Sequence, residues 1–211
     1  MRSAATPPAA RSVPSERTDM ATGHTDPKRR ERIIAATLDL IAEEGLARVS
    51  HRKIAARAGV PLGSMTYHFD GIDELLREAF GRFTDHIVAV FDARLSVPTD
   101  RDQAREAVAD LVHALSEGPQ RDLILTQELY TLAARQPEYR ELTHEWMRRS
   151  RIHLEKHFDP ATARQLDALI EGLTIHRALA REPHDRDLTL EAIVRITTTD
   201  RDTDAGRAPR N

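Results

Sequence analysis

The segment IAARAGVPLGSMTYHFDGIDELL, residues 54–76, constrains this chain more than any other stretch of it. It begins as a small helix, breaks at Gly59 and Pro61, resumes through Ser64, Thr66, Tyr67 and His68, and breaks again at Gly71. Glycine closes a helix because it enters the left-handed region without a Cβ penalty. Proline suits a first helical turn, where its missing N–H is no loss. The two breaks therefore isolate one short helix, predicted over Pro61 to Phe69, and set its angle to the helix before it. Ala55, Ala58 and Gly59 permit close approach, and Met65 and Phe69, four apart, anchor the short helix inward. Ser64, Thr66, Tyr67 and His68 are then expected on its outer faces. Two short helices joined by such a turn and packed on a third describe a helix-turn-helix unit.

The flanking sequence supplies that third helix and a long fourth one. Lys28 to Glu44 carries Ile34, Leu38 and Ile41 at helical spacing and stops at Gly45. Ser50 is a good N-cap for the second helix, which buries Ile54, Ala55 and Ala58. From Asp73 the apolar positions Leu75, Leu76, Phe80, Phe83, Ile87, Val88 and Phe91 describe a helix of over twenty residues, ~30 Å long at 1.5 Å per residue. Further amphipathic segments follow, separated by Gly118-Pro119, Pro137, Pro160 and Pro183. With aromatics at 4% and few glycines, the composition also favours helices over a sheet. The expected fold is all-α. Residues 28–72 form a three-helix head, which the long helix joins to a helical body over 73–199. Residues 1–27 and 200–211 lack periodicity and read as disordered tails, and Met20 is an alternative start to Met1.

Charge and composition limit the function. Lys28 to Arg57 holds eight basic residues (Lys28, Arg29, Arg30, Arg32, Arg48, Arg52, Lys53, Arg57) against four acidic ones (Glu31, Asp39, Glu43, Glu44), whereas the chain as a whole has a net charge of −3. A basic end on an acidic body suits contact with a polyanion. The chain has no cysteine, so it has neither disulfides nor a thiolate site. No apolar run reaches the ~18 residues of a membrane span, and the N-terminus has no apolar signal core. The expected compartment is the cytoplasm, with no membrane partner.

The stretch RRERIIAATLDLIAEEGLARVSHRKIAARAGVPLGSMTYHFDGIDELLREAF resembles the DNA-binding domain of the TetR family of bacterial transcriptional regulators. The resemblance rests on the first helix ending at Gly45, on IAARAGV, on Gly63-Ser64, on YHF and on DELL opening the next helix. It implies phosphate contacts, and sometimes a base contact, from Ser50, His51 and Arg52. Arg52 is the choice for a base, because a guanidinium binds guanine O6 and N7 together. It implies a recognition face of Leu62, Gly63, Ser64 and Thr66, and backbone-phosphate contacts from Tyr67 and His68. Lys28, Arg29 and Arg30 are expected to add phosphate contacts from the first helix. Three positions depart from the family pattern. Pro61 replaces a Ser or Thr cap, Leu62 replaces a polar or basic residue, and Ile72 replaces a lysine. These departures alter which operator is read rather than whether DNA is bound.

The resemblance also implies a body that dimerises and binds a small-molecule effector, with the long helix coupling it to the head. A homodimeric repressor released from a palindromic operator is the expected function. The dimer interface is expected on the helices from about Ala161 to Arg181 and Leu188 to Thr198, through Leu166, Leu169, Ile170, Leu173, Ile193 and Val194. Candidate effector-facing groups are His113, Thr126, Gln127, Tyr130, Thr143, Trp146 and His176. Two spacings resemble metal sites, Glu141-x-x-His144 and His153 with His157, but neither has the further ligands that a metal centre needs. No metal or other cofactor is expected. Two rival functions stay open: a constitutive dimeric DNA-binding protein without a ligand, and an all-α enzyme. The enzyme reading lacks a cysteine nucleophile, an HExxH and a GxSxG.

Overall fold

The computed structural model describes residues 28–198, and the expected tails lie outside them. Within these residues the chain forms nine α-helices and no strand. The head comprises α1 (Lys28–Glu44), α2 (His51–Ala58) and α3 (Gly63–His68). Next come α4 (Ile72–Leu95), α5 (Arg101–Ser116), α6 (Gln120–Arg135), α7 (Pro137–Leu154), α8 (Pro160–Leu179) and α9 (Arg186–Thr198).

Local chemistry accounts for several of the helix ends. Gly45 closes α1 with φ 80°, donating its N–H to the Ile41 carbonyl at 2.9 Å. The Ser50 side chain caps α2 by accepting from the Lys53 amide. At the other end Gly59 is left-handed (φ 65°, ψ 39°). Its N–H reaches Ala56 O and the Val60 N–H reaches Ala55 O at 3.0 Å, so both orphan carbonyls are satisfied. In α5, Asp100 accepts from the Gln103 amide while the Gln103 side chain returns a bond to Asp100, both at 2.8 Å. Asp159 caps α8 through the Ala161 and Thr162 amides, with Pro160 in the first turn. Helix α3 is shorter than its sequence suggests. Pro61 lies in a turn before it, because Ser64 and Met65 donate to the Pro61 and Leu62 carbonyls three residues back.

The buried residues form one continuous cluster from Ile33 in α1 to Ile193 in α9, and α4 threads it. Its first half packs on α1 with Leu75, Leu76, Ala79 and Phe80 buried. Its second half buries Phe83, Ile87, Val88, Phe91 and Leu95 against α5 and α7. Phe80 meets Tyr139 of α7 edge to face at 6.2 Å, where the head and body cores merge. The body closes by packing α5 on α8 and α9, α6 on α7, and α7 on α8. A buried guanidinium pins α5 to α9, with Arg105 Nε donating to Thr197 Oγ1 at 2.7 Å and Nη1 pairing with Asp102.

Residues expected in the dimer interface divide between core and surface. Leu166, Ile170 and Ile193 are buried within the single chain, because their helix faces turn toward α5 and α7. Leu169 and Leu173 are half-buried, Val194 is exposed, and Leu179 and Leu188 also lie exposed on the same two helices.

Two outcomes follow. Phe80→Ala opens a cavity where the cores merge and is expected to cost about 3–5 kcal/mol, read by chemical denaturation. His113, on α5, shares a 3.2 Å hydrogen bond with Thr189 of α9, and burial and the nearby Arg177 hold its pKa below the ordinary 6.5. A depressed imidazole pKa leaves the folded state short of protons relative to the unfolded one. The stability it contributes is therefore present above about pH 6.5 and is lost as pH falls through the folded-state value. His113→Gln is expected to lose less melting temperature than the parent between about pH 7 and pH 5.

Candidate nucleic-acid interface and body cavity

The head presents α3 with Met65 and Phe69 turned inward, at 1% and 3% exposure. Tyr67 is 73% exposed and Leu62 50% exposed, while Thr66, Gly63 and Arg52 are also open to solvent. His68 is half-buried and stacks edge-on with Tyr67 at 4.9 Å. Ser50 is exposed at the start of α2 and His51 is half-buried beside it. No atom of the chain lies within 4 Å of a Cβ built on Gly63, and its φ is not positive. Internal packing therefore does not require glycine there, and a missing side chain at an exposed helix start leaves room for an outside backbone.

Two expectations for this face are corrected. Ser64 is 8% exposed rather than outward, because it shares the inward face of a very short helix with Met65. Arg30 is engaged inside the head: its guanidinium pairs with Glu78 and Glu74 of α4 and lies over the Phe69 ring at 4.8 Å. The excess of eight basic over four acidic residues stands, but two of its cations are held by carboxylates already counted against them. Arg57 forms a bidentate pair with Glu43 at 2.6 and 2.9 Å, and Lys53 reaches Glu44 at 2.5 Å, both joining α2 to α1. The Arg57 hydrogen bond lowers the Glu43 pKa. Lys28 is exposed and Arg29 half-buried at the start of α1.

In the body, a cavity of about 80 Å³ opens between α4, α6, α7 and α8. Its apolar wall includes Ile87, Phe91, Leu123, Met147 and Ile170, and its polar wall is Asp122, Thr126, Tyr130, Ser150, Asp167 and Glu171. Tyr130 and Trp146 stack nearly parallel, with centroids 5.7 Å apart and an interplanar angle of 24°. The Tyr130 hydroxyl donates to Glu171 Oε2 at 2.9 Å. Burial raises the pKa of Tyr130, so the phenol stays a donor. Burial also raises the pKa of Glu171 and Asp167, although Arg151 bonds Asp167 at 3.0 Å and opposes the shift.

Of the residues expected to face an effector, the cavity gathers Thr126, Tyr130 and Trp146. The other four lie elsewhere. Gln127 lines a separate groove on α6 with Ile124, Thr131 and Leu179, and Thr143 is buried with its hydroxyl bonded to the Arg140 carbonyl. His113 is held by Thr189, and His176 is exposed near the end of α8. Sequence reading missed Asp122, Ser150, Asp167 and Glu171. The usable signal was Asp167 and Glu171, four apart and flanking the buried Leu166 and Ile170, which puts carboxylates beside an apolar stripe. The two metal-like spacings serve other contacts. His144 is exposed beside Glu141, His153 pairs with Asp92 at 3.1 Å, and His157 bonds the Leu95 carbonyl at 2.7 Å. Among the described residues no three His, Asp or Glu side chains converge as a metal would require, and no helix is long and apolar enough to cross a membrane.

Helix α6 joins the two regions. Thr126, Tyr130 and Asp122 look into the cavity, whereas Arg121 and Glu128 point at the head. Arg121 reaches Asp39 of α1 at 3.0 Å, and Glu128 Oε1 accepts the Leu46 amide at 3.2 Å.

Comparison with known proteins agrees with this arrangement. Residues 33–79 match the family described as bacterial regulatory proteins, tetR family, and residues 99–199 match the tetracyclin repressor-like C-terminal domain. A structure from Streptomyces coelicolor A3(2), SCO7518, described as a transcriptional regulator in prospect, is 85% identical over 82% of this chain and 99% of that one, with a TM-score of 0.79. The multidrug binding protein EbrR, solved with imidazole, is 35% identical over 82% of this chain and 91% of its own, with a TM-score of 0.70. EbrR has also been solved with ethidium, proflavin and malachite green. The HTH-type transcriptional regulator BetI 1 of Chromohalobacter salexigens is 28% identical over 76% of this chain and 84% of its own length. With both halves matched, and with relatives this similar along most of their length, the chain belongs to the TetR family of bacterial transcriptional regulators.

Proposed function

We propose that this regulator binds a palindromic operator as a homodimer in the cytoplasm, represses transcription there, and is released when a small molecule enters the cavity between α4 and α8. The observation that carries this reading is the double duty of α6, one face of which lines the cavity while the other holds Asp39 and the Leu46 amide. An occupant that displaces Tyr130 or Thr126 moves the helix on which the head rests. Such a ligand shifts the equilibrium only by as much as it prefers one head position over the other, and a coupling of about 1–3 kcal/mol is enough to change operator occupancy.

Exposed Arg52, Gly63, Thr66 and Tyr67 form the groove-facing surface, with Arg52 reading a base and Tyr67 positioning on phosphate. Leu62, exposed where the family has a polar or basic residue, suits contact with a thymine methyl. In a dimer the paired α3 helices must stand ~34 Å apart to enter successive major grooves. The half-buried and exposed apolar residues Leu169, Leu173, Leu179, Leu188 and Val194 mark the surface of α8 and α9 on which a second copy docks. The complexes of EbrR support a body cavity that takes up small organic molecules.

The test uses duplexes selected by the protein from a random library. Arg52→Ala is expected to weaken the best duplex by about 1–3 kcal/mol and to relax preference at one base position per half-site. Tyr67→Ala is expected to weaken all duplexes alike. Both variants should melt as the parent does, and unchanged affinity in both would remove α2 and α3 from the reading surface. The parent's affinity should fall steeply with salt, as phosphate contacts release counterions, whereas a flat salt dependence contradicts such contacts.

A further inference from the structure

Three carboxylates face the cavity, and among the described residues no lysine, arginine or histidine lines it. They are not equivalent. Asp167 is neutralised by Arg151 at 3.0 Å, and Asp122 lies 3.6 Å from both Arg121 and His86. Glu171 has only the Tyr130 phenol, a neutral donor, at 2.9 Å. A carboxylate withdrawn from water with a neutral partner alone remains uncompensated, and the physical remedies are a proton or a cation.

A second feature points into the same space. Ser150 is 2% exposed and lines the cavity, yet its Oγ has no hydrogen-bond partner. Buried hydroxyls are ordinarily satisfied, so a group from outside the chain is the natural complement. Beside these polar atoms stand the Tyr130 and Trp146 rings, Trp146 one turn of α7 from Ser150 and Tyr130 bonded to Glu171; aromatic faces attract positive charge, with Trp the most effective. The wall thus combines one unbalanced carboxylate, one unanswered hydroxyl and a π surface, with no cation of its own.

We infer that the cavity is built for an organic cation, held by the Glu171 carboxylate against the Tyr130–Trp146 rings, with Ser150 free to bond a polar substituent. This deepens the effector reading given above and rests on it for regulatory meaning, though not for binding. A space of about 80 Å³ is smaller than the ~300 Å³ at which drug-sized sites begin. A compact ammonium head therefore fits more readily than a large dye, for which the stacked rings must part.

The test compares ligands of equal shape and different charge by calorimetric titration of the full chain at about pH 8. Choline is paired with 3,3-dimethylbutan-1-ol, and phenyltrimethylammonium with tert-butylbenzene, its neutral isostere. The charged member of at least one pair is expected to bind about ten-fold or more tightly than its neutral partner. In Glu171→Gln that preference should fall to about three-fold or less, while Glu171→Asp keeps it. Equal affinities within both pairs, no binding by any member, or a preference undiminished in Glu171→Gln would each overturn the inference. The parent comparison decides the matter even if a variant fails to fold. Operator release, measured separately with the same compounds, distinguishes the two proposals. Charge-independent ligands that release DNA would sink the cation and spare the effector reading. Glu171-dependent cations that leave DNA binding unchanged would do the reverse.

Discussion

The apolar stripe along α4 is the constraint on which the rest of the molecule depends. A helix of 24 residues, ~36 Å long, is buried from Leu75 to Leu95 by two sets of partners. Toward its start it packs on α1, and further on it packs on α5 and α7. Because Phe80 meets Tyr139, no solvent-filled gap separates these two environments. A close-packed interior of this kind does not deform smoothly, so any movement in the body would reach the head as a shift of whole helices.

Helix α6 makes that shift directional. Residues 121 and 128 are seven apart and share a face, as do 122, 126 and 130, spaced by four. One helix thus carries the head's tethers and part of the cavity wall on different sides. The polar tethers, an ion pair at Asp39 and a hydrogen bond from the Leu46 amide, lie on a packed contact between α6 and α1. Partly exposed ion pairs contribute little to stability, and a hydrogen bond to a carboxylate contributes modestly.

Much of this was legible in the sequence, and the misses have physical reasons. The helical head could be read because its signals are local: Gly45, Ser50 and Gly59 each act within a turn of helix, and Lys28–Glu44 was recovered as α1. The inward face of α3 was half legible. Met65 and Phe69 are buried as their spacing implies, but Ser64 joins them because a six-residue helix has little room for a polar side. Arg30 could not be placed from its charge alone, since its partners Glu74 and Glu78 arrive from α4 some fifty residues later. The cavity was legible in Thr126, Tyr130 and Trp146 but not in its carboxylates. Tyr130 and Trp146 stand out in a chain with few aromatics, whereas Asp167 and Glu171 look like ordinary helix-surface carboxylates until α4 and α7 cover them. His113 and Thr143 lie beside apolar stripes, as effector contacts would, but spend their hydrogen bonds on Thr189 and the Arg140 carbonyl.

The position of Trp146 has one more consequence. It is the chain's single tryptophan, and it stands in the cavity wall with its indole on Tyr130. Indole fluorescence, excited where tyrosine does not absorb, therefore originates beside the site where an occupant would sit. The molecule carries its own optical reporter, and uptake of a compound can be followed in unlabelled material, with or without DNA present.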